Sequence, residues 1–438
     1  MNAAQAVIDL DDTEGLLAAD RDGLLRAASM GGAHVRAAAA ALDEGALDSL
    51  RGDLPRTVIW VGGRGTAETA GTMLAATSGG APTPIVIAAE APPWIGALDM
   101  LVVAGDDPGD PVLVGAAASA VRRGARVVVA TPYDGPLRDA TAGRAAVLEP
   151  RLPVADGFGL CRYLAVGLAV LQSVDPKLRV DLAALADELD AEALRNSASR
   201  EVFTNPAKAL VERMSRRRVV LAGDCAATLT LARHGSAVLL RFAHEVAAPA
   251  GLADALIALR AGAGSGFADP TESLFHDEEI DGPITERLRV LALTLDAERT
   301  VVASRIAQFD DVDMVGAEDV PDLLDVRRIE QMGQVIAIGC RIVWRGQRLK
   351  RIFRERQMRR LRLQDGAAGG RNMGSPRTGA CSRGKGARTH VPSPVRFGLE
   401  DVLSGHRCCA RPVTVFLPER TRSKSGRIES MRRQKIPM

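Results

Sequence analysis

The chain of 438 residues has room for two average domains, and its 47% hydrophobic content supports a sizeable core. Only 3% of residues are aromatic, so Ala, Val and Leu must build that core, which suits helices packed on a parallel sheet. No apolar run approaches the roughly 18 residues of a membrane span and the acidic N-terminus lacks the basic region of a signal peptide, so a cytoplasmic protein without a membrane role is expected.

The net charge of +2 hides a division: residues 1–326 hold 29 Lys/Arg against 47 Asp/Glu, and residues 327–438 hold 27 against 7. An acidic body is joined to a basic tail. Of the six cysteines, Cys161 and Cys225 stand alone in apolar sequence, as buried thiols do. No CxxC or HxxxH spacing supports a zinc site, and neither a metal nor a cofactor is expected.

In chain order, residues 1–52 read as helices, with Asp11-Asp12-Thr13 able to cap the first. Strands are predicted at 57–61, 84–89, 99–104 and 126–131, with a helix at about 110–123, a further strand in 145–150 and a buried helix over 156–172. A helical bridge follows at 181–214, where Asn205-Pro206 is a strong start signal, Asn as cap and Pro at the first helical position. Strands are then predicted at 219–223, 237–242, 288–294 and 312–315, with helices near 251–260 and 296–307. "VVLAGDCAATLTLARHGSAVLL" from Val219 repeats "VIWVGGRGTAETAGTMLAATSG" from Val58 at an offset of 161 residues, the scale of a duplicated domain. The fold expected is α/β: two doubly wound parallel-sheet domains in tandem, followed by a basic tail of low order.

The stretch at Gly62-Gly63-Arg64-Gly65-Thr66 joins a buried strand to a helix. Such a turn brings bare N–H groups to a helix N-terminus, where they suit a phosphate. Together with "DLDDTEGLLAADRDGLLRAA" at 9–28 and "NPAKALVERMSRRRVVLAGD" at 205–224, this layout resembles the sugar isomerase (SIS) domain family over about residues 1–320. Within that family it is most similar to bifunctional phosphoglucose/phosphomannose isomerases.

The resemblance implies N-terminal helices at 1–52, a first SIS-like domain at 53–180, a bridge and second SIS-like domain at 181–326, and a tail at 327–438. It also implies a homodimer that binds a sugar phosphate and interconverts aldose and ketose hexose 6-phosphates. The alternative is a catalytically inactive SIS-fold protein that senses a sugar derivative or supports a partner.

Phosphate is expected at Gly62, Gly63, Arg64, Gly65 and Thr66, and at the loop Gly105–Asp110, where Asp106 and Asp107 take positions that the family fills with hydroxyls. Three carboxylates there, with Asp110, oppose a phosphate, and Pro108 removes a donor. Isomerisation needs a base to move a proton between adjacent carbons and an acid to open the ring; His234, His244 and Glu245 are the candidates, and of these His244 and Glu245 are favoured because they follow an expected strand end. Glu68 reads as a helix-capping acid, and "FHDEEIDGP" at 275–283 as a solvated charge run. The tail reads either as a basic arm, the one feature pointing to nucleic acid, or as the product of a frameshifted gene end.

Overall fold

The computed structural model describes residues 9–316 apart from 53, 154, 216 and 263–286. The basic tail and the "FHDEEIDGP" run lie outside the described residues. Helices α1 (Thr13–Ala19), α2 (Leu24–Ser29) and α3 (Gly31–Asp43) open the chain. A five-stranded sheet follows, built from β1 (Thr57–Gly62), β2 (Ile85–Ile87), β3 (Asp99–Ala104), β4 (Arg126–Ala130) and β5 (Ala145–Val147). Its order is β2-β1-β3-β4-β5, and every pairing is parallel. Crossovers run through α4 (Thr66–Thr77), α5 (Pro111–Arg122) and α6 (Gly135–Thr141), and α7 (Leu160–Val174) leads out.

After α8 (Leu182–Arg195) and α9 (Pro206–Met214) comes a second sheet of β6 (Arg218–Gly223), β7 (Ala247–Gly251), β8 (Leu288–Leu293) and β9 (Val312–Val315), in parallel order β7-β6-β8-β9. Its helices are α10 (Ala226–Val238), α11 (Leu252–Arg260) and α12 (Arg299–Ile306). Parallel α/β architecture is thus as expected.

Strand periodicity decides where the core lies. Val58, Trp60, Met100, Val102 and Val128 point into a central core that they share with α7, α10 and β6. The alternate residues Ile59, Val61, Leu101, Val103 and Val127 pack under α5 and α6 on the outer face. Residues of α7 are buried on every side of the helix, among them Leu160, Tyr163, Leu164, Leu168 and Val170, as expected for a helix enclosed between layers.

The helix starts follow the sequence signals. The Asp12 side chain accepts from Gly15 N–H, and Asn205 accepts from Ala207 and Lys208 with Pro206 first in the helix. The two sheets share a local feature. A Cβ at Gly62 would lie 2.8 Å from the backbone of Glu68, and one at Gly223 would strike the backbone of Leu229, six residues on in both cases. After both β1 and β6 the following helix crosses its strand where only a glycine allows the approach.

One predicted strand is wrong. Residues 237–242 are not extended: α10 runs to Val238 and a π-helical turn continues over Leu239–Ala243. Val238 and Phe242 bury against Phe158 there, so tertiary contact holds the apolar run helical. The strand lies later, in Ala-Ala-Pro-Ala-Gly at 247–251. That run has poor strand propensity and carries Pro249, which is tolerated because β7 is an edge strand. Helix α6 was not predicted, and the expected helix at 296–307 divides into a 3-10 turn at Asp296–Glu298 and α12.

Candidate functional site

In an open parallel sheet, ligands gather at the carboxyl ends of the strands where the chain order reverses. In the first sheet this point lies between β1 and β3, since the chain passes from β1 to β2 on one side and then to β3 on the other. The turn 62–66 leaves β1 there and the loop 105–110 leaves β3. The two are packed together: a Cβ on Gly63 would meet Gly105 Cα at 3.5 Å.

Gly65 caps α4 with φ +92°, a conformation that side chains disfavour, and this opens the helix N-terminus. Of the proposed donors, Gly63 N–H is already committed to Ala104 O at 2.7 Å. The N–H groups of Gly65, Thr66 and Ala67 have no acceptor among the described residues. Thr66 is buried, and its hydroxyl lies 3.1 Å from where a Cβ of Gly159 would stand, so it faces the start of α7. Arg64 is exposed.

The three acids of the second loop, equivalent in the sequence, are not so in the structure. Asp107 accepts from Gly109 N–H at 2.8 Å and Asp110 caps α5 through Val112 N–H at 2.8 Å. Asp106 alone faces a site. It accepts a 2.5 Å hydrogen bond from Tyr163 OH and lies 3.7 Å from the Arg162 guanidinium.

Arg162 is 5% exposed. Its Nη2 donates to Ala130 O at 2.9 Å, at the carboxyl end of β4, and its Nη1 donates to Tyr163 OH at 3.3 Å. Burial raises the Tyr163 pKa well above the usual range, Arg162 opposes this, and Asp106 adds to it, so the phenol stays protonated.

Arg162, Asp106, Pro132, Arg151 and Asp156 line a cleft of about 480 Å³ at the ends of β3 and β4. Sequence reading missed Arg162. The signal was available: it is the one charged residue in the otherwise apolar run Leu160–Val174, and a cation in a buried helix is costly unless it is used. The turn 62–66 adjoins this cleft without lining it.

His244 closes the π-turn in a left-handed conformation, φ +56°. The expectation that it follows a strand end is therefore corrected: it follows a helical turn, because the apolar run before it packs as a helix. The turn does approach the first half. Arg241 pairs with Asp156, a cleft residue, and the Phe158 and Phe242 rings stand 5.1 Å apart. His244 is exposed and Glu245 half-buried.

The corresponding turn after β6 keeps Gly223 for Gly62 but has lost the other two glycines. At the offset of 161, Asp224 and Cys225 stand where the first half has Gly63 and Arg64. Cys225 caps α10 with Thr228, and Asp224 pairs with Arg305 at 2.6 Å. Burial, then the charge of Asp224, raises the pKa of Glu298 beside them. Cys161 and Cys225 are reduced thiols, Cys161 buried and Cys225 partly exposed. Among the described residues no cluster of His, Cys, Asp or Glu has the arrangement of a metal site, and no helix is long and apolar enough to cross a membrane.

No family model and no curated protein matches the sequence. Solved structures do. The "putative phosphosugar isomerase" of Silicibacter pomeroyi is 14% identical with a TM-score of 0.50, the match covering 76% of this chain and 98% of that one. A glucose-6-phosphate isomerase like protein from Thermus thermophilus is 20% identical, TM-score 0.44, over 79% and 94%. A tagatose-6-phosphate ketose/aldose isomerase from Escherichia coli is 13% identical, TM-score 0.45, over 76% and 91%. At such identity the Silicibacter likeness establishes the fold alone, parallel α/β sheets arranged as in that structure.

Proposed function

We propose that the chain, built on a phosphosugar-isomerase fold, binds a phosphorylated sugar in the cleft at the ends of β3 and β4. The observation that carries this is Arg162: a buried guanidinium, anchored to Ala130 O, opening into a concave site beside a helix N-terminus whose first N–H groups have no acceptor among the described residues. Arginine so held is preorganised for an oxyanion. The α4 N-terminus at Gly65, Thr66 and Ala67 supplies further donors toward the same crevice.

On the resemblance, the ligand is a hexose 6-phosphate and the reaction an aldose–ketose interconversion, with Glu245 as base and His244 as ring-opening acid. The working unit is then two SIS-like domains, 53–180 and 181–326, preceded by the helices of 1–52 and paired as a homodimer. One observation favours a second reading, ligand binding without turnover. Asp106 already occupies the Arg162 guanidinium at 3.7 Å, and an anion must displace it.

Calorimetry with glucose, mannose and fructose 6-phosphates tests the binding. Arg162→Met removes the charge-assisted bonds, and affinity is expected to fall roughly ten- to a hundredfold. Because Asp106 is well exposed, losing its partner leaves it solvated and the fold is expected to survive. Asp106→Asn keeps the shape and lifts the repulsion, strengthening binding about three- to tenfold. If no sugar phosphate binds wild type or Asp106→Asn, the proposal is wrong. Saturable binding with no interconversion of the 6-phosphates would select the second reading.

A further inference from the structure

Behind Arg162 lies a second, smaller cavity of about 20 Å³, between α3, α7 and the segment that follows β5. It shares Pro150, Arg151, Leu152 and Arg162 with the cleft as walls. Its size suits one water molecule. Another of its walls is His34, 4% exposed, so the one cavity holds both the imidazole ring and the guanidinium in its walls. A charge gained on one side of so small a space is felt on the other, because little water screens it.

We propose that His34 is the proton-accepting partner of the anion site: when an anion occupies Arg162 from the cleft, His34 takes up a proton through the single-water cavity. The inference rests on the anion-binding reading above. The reaction is one proton from solvent added to an imidazole nitrogen, with no covalent bond to the ligand formed or broken.

The electrostatics around the ring support this coupling. In the ligand-free protein, burial and then the Arg162 charge hold the His34 pKa below its usual value, so the ring is neutral. An anion on Arg162 cancels the second cause and adds an attractive charge, which raises that pKa. By linkage, the anion then binds more tightly as pH falls between the two pKa values.

The other charges that flank His34 do not supply this response. The segment after β5 brings Glu149 and Arg151, the latter tied to Glu44. Helix α8 brings Asp187 and Asp190, both paired with Arg36, two residues along α3 and so on another face. From α2 the one cation is Arg26, which is exposed.

Sulfate is the probe, because it stays dianionic from pH 5 to 7.5 whereas phosphate titrates. Calorimetry of the full chain in buffers of different ionisation enthalpy counts the protons taken up. Wild type is expected to bind sulfate with proton uptake and roughly three- to tenfold more tightly per pH unit within the window, the limit for one coupled proton being tenfold. His34→Gln, or His34→Asn if the first variant fails to fold, is expected to bind sulfate with an affinity that is flat over this range.

Wild-type binding without uptake overturns the inference and leaves the anion site standing. Uptake that persists in the His34 variant, or that appears only below pH 5 in wild type, assigns the proton to Asp106 or another carboxylate and also overturns it. Absence of sulfate binding at every pH removes the anion site and this inference together.

Discussion

Acidification from pH 6.5 to 4 is expected to cost the protein about 3 kcal/mol of stability through one residue, His234 on α10. The side chain is buried, and among the described residues its Nε2 has no hydrogen-bond partner. Burial lowers its pKa from 6.5 to about 4. The unfolded chain therefore binds a proton that the folded chain refuses. The contribution is complete above pH 6.5 and is lost as pH falls toward 4. Urea denaturation at pH 7, 5.5 and 4 measures it, and His234→Leu, which places an apolar side chain at a buried site, is expected to flatten the slope by that amount. If wild type and variant lose stability in parallel, His234 is not the cause. His34 is shifted in the same direction and adds to the wild-type slope, but it is present in both proteins and cancels in the comparison.

Gly223→Ala is expected to destabilise by roughly 1–3 kcal/mol, the range of an overpacked site. The methyl group would be driven into the backbone of Thr228 and Leu229, the first turns of α10, where no side chain can rotate away. Relief requires moving α10, and α10 packs on α4 and on the central core through Leu231 and Ala232. Gly62→Ala, at the crossing of α4 over β1, should follow at a smaller cost, its nearest contact being 2.8 Å. Gly115 on α5 is the control: nothing lies within 4 Å of its Cβ position, so Gly115→Ala should stabilise by about 0.4–1 kcal/mol. A Gly223→Ala protein as stable as wild type would show that the strand–helix crossing has slack that the structure lacks.

Much of the architecture was legible in the sequence because it is written in short-range chemistry. Runs such as Val58–Val61 and Val127–Ala130 are apolar at every position, rich in β-branched residues and closed by turn residues, the pattern of a strand covered on both faces. Caps such as Asp12 and Asn205 act within three residues, so their effect survives any tertiary context. The glycines at 62 and 223 were legible for the same reason, since each answers a local strand–helix crossing. The misread strand at 237–242 marks the limit. A short apolar run suits a strand or a buried helix equally, and contact with Phe158, some eighty residues earlier in the chain, decides between them.

The candidate site divides in the same way. The sequence by itself determined the glycine turn, because a positive φ at Gly65 and a helix N-terminus after it are local properties. It also placed three acids in the second loop, yet it could not tell them apart. Asp107 and Asp110 are used within two residues, whereas Asp106 depends on Tyr163, 57 residues away in sequence. Arg162 and His34 acquire their meaning only in three dimensions. One is an arginine inside an apolar helix and the other a histidine in an alanine-rich one. Packing α3 and α7 together at the ends of β4 and β5 buries both around a single small cavity. Burial strips water from a charge and makes its neighbours decisive, and which neighbours those are is set by chain crossings that no local pattern encodes.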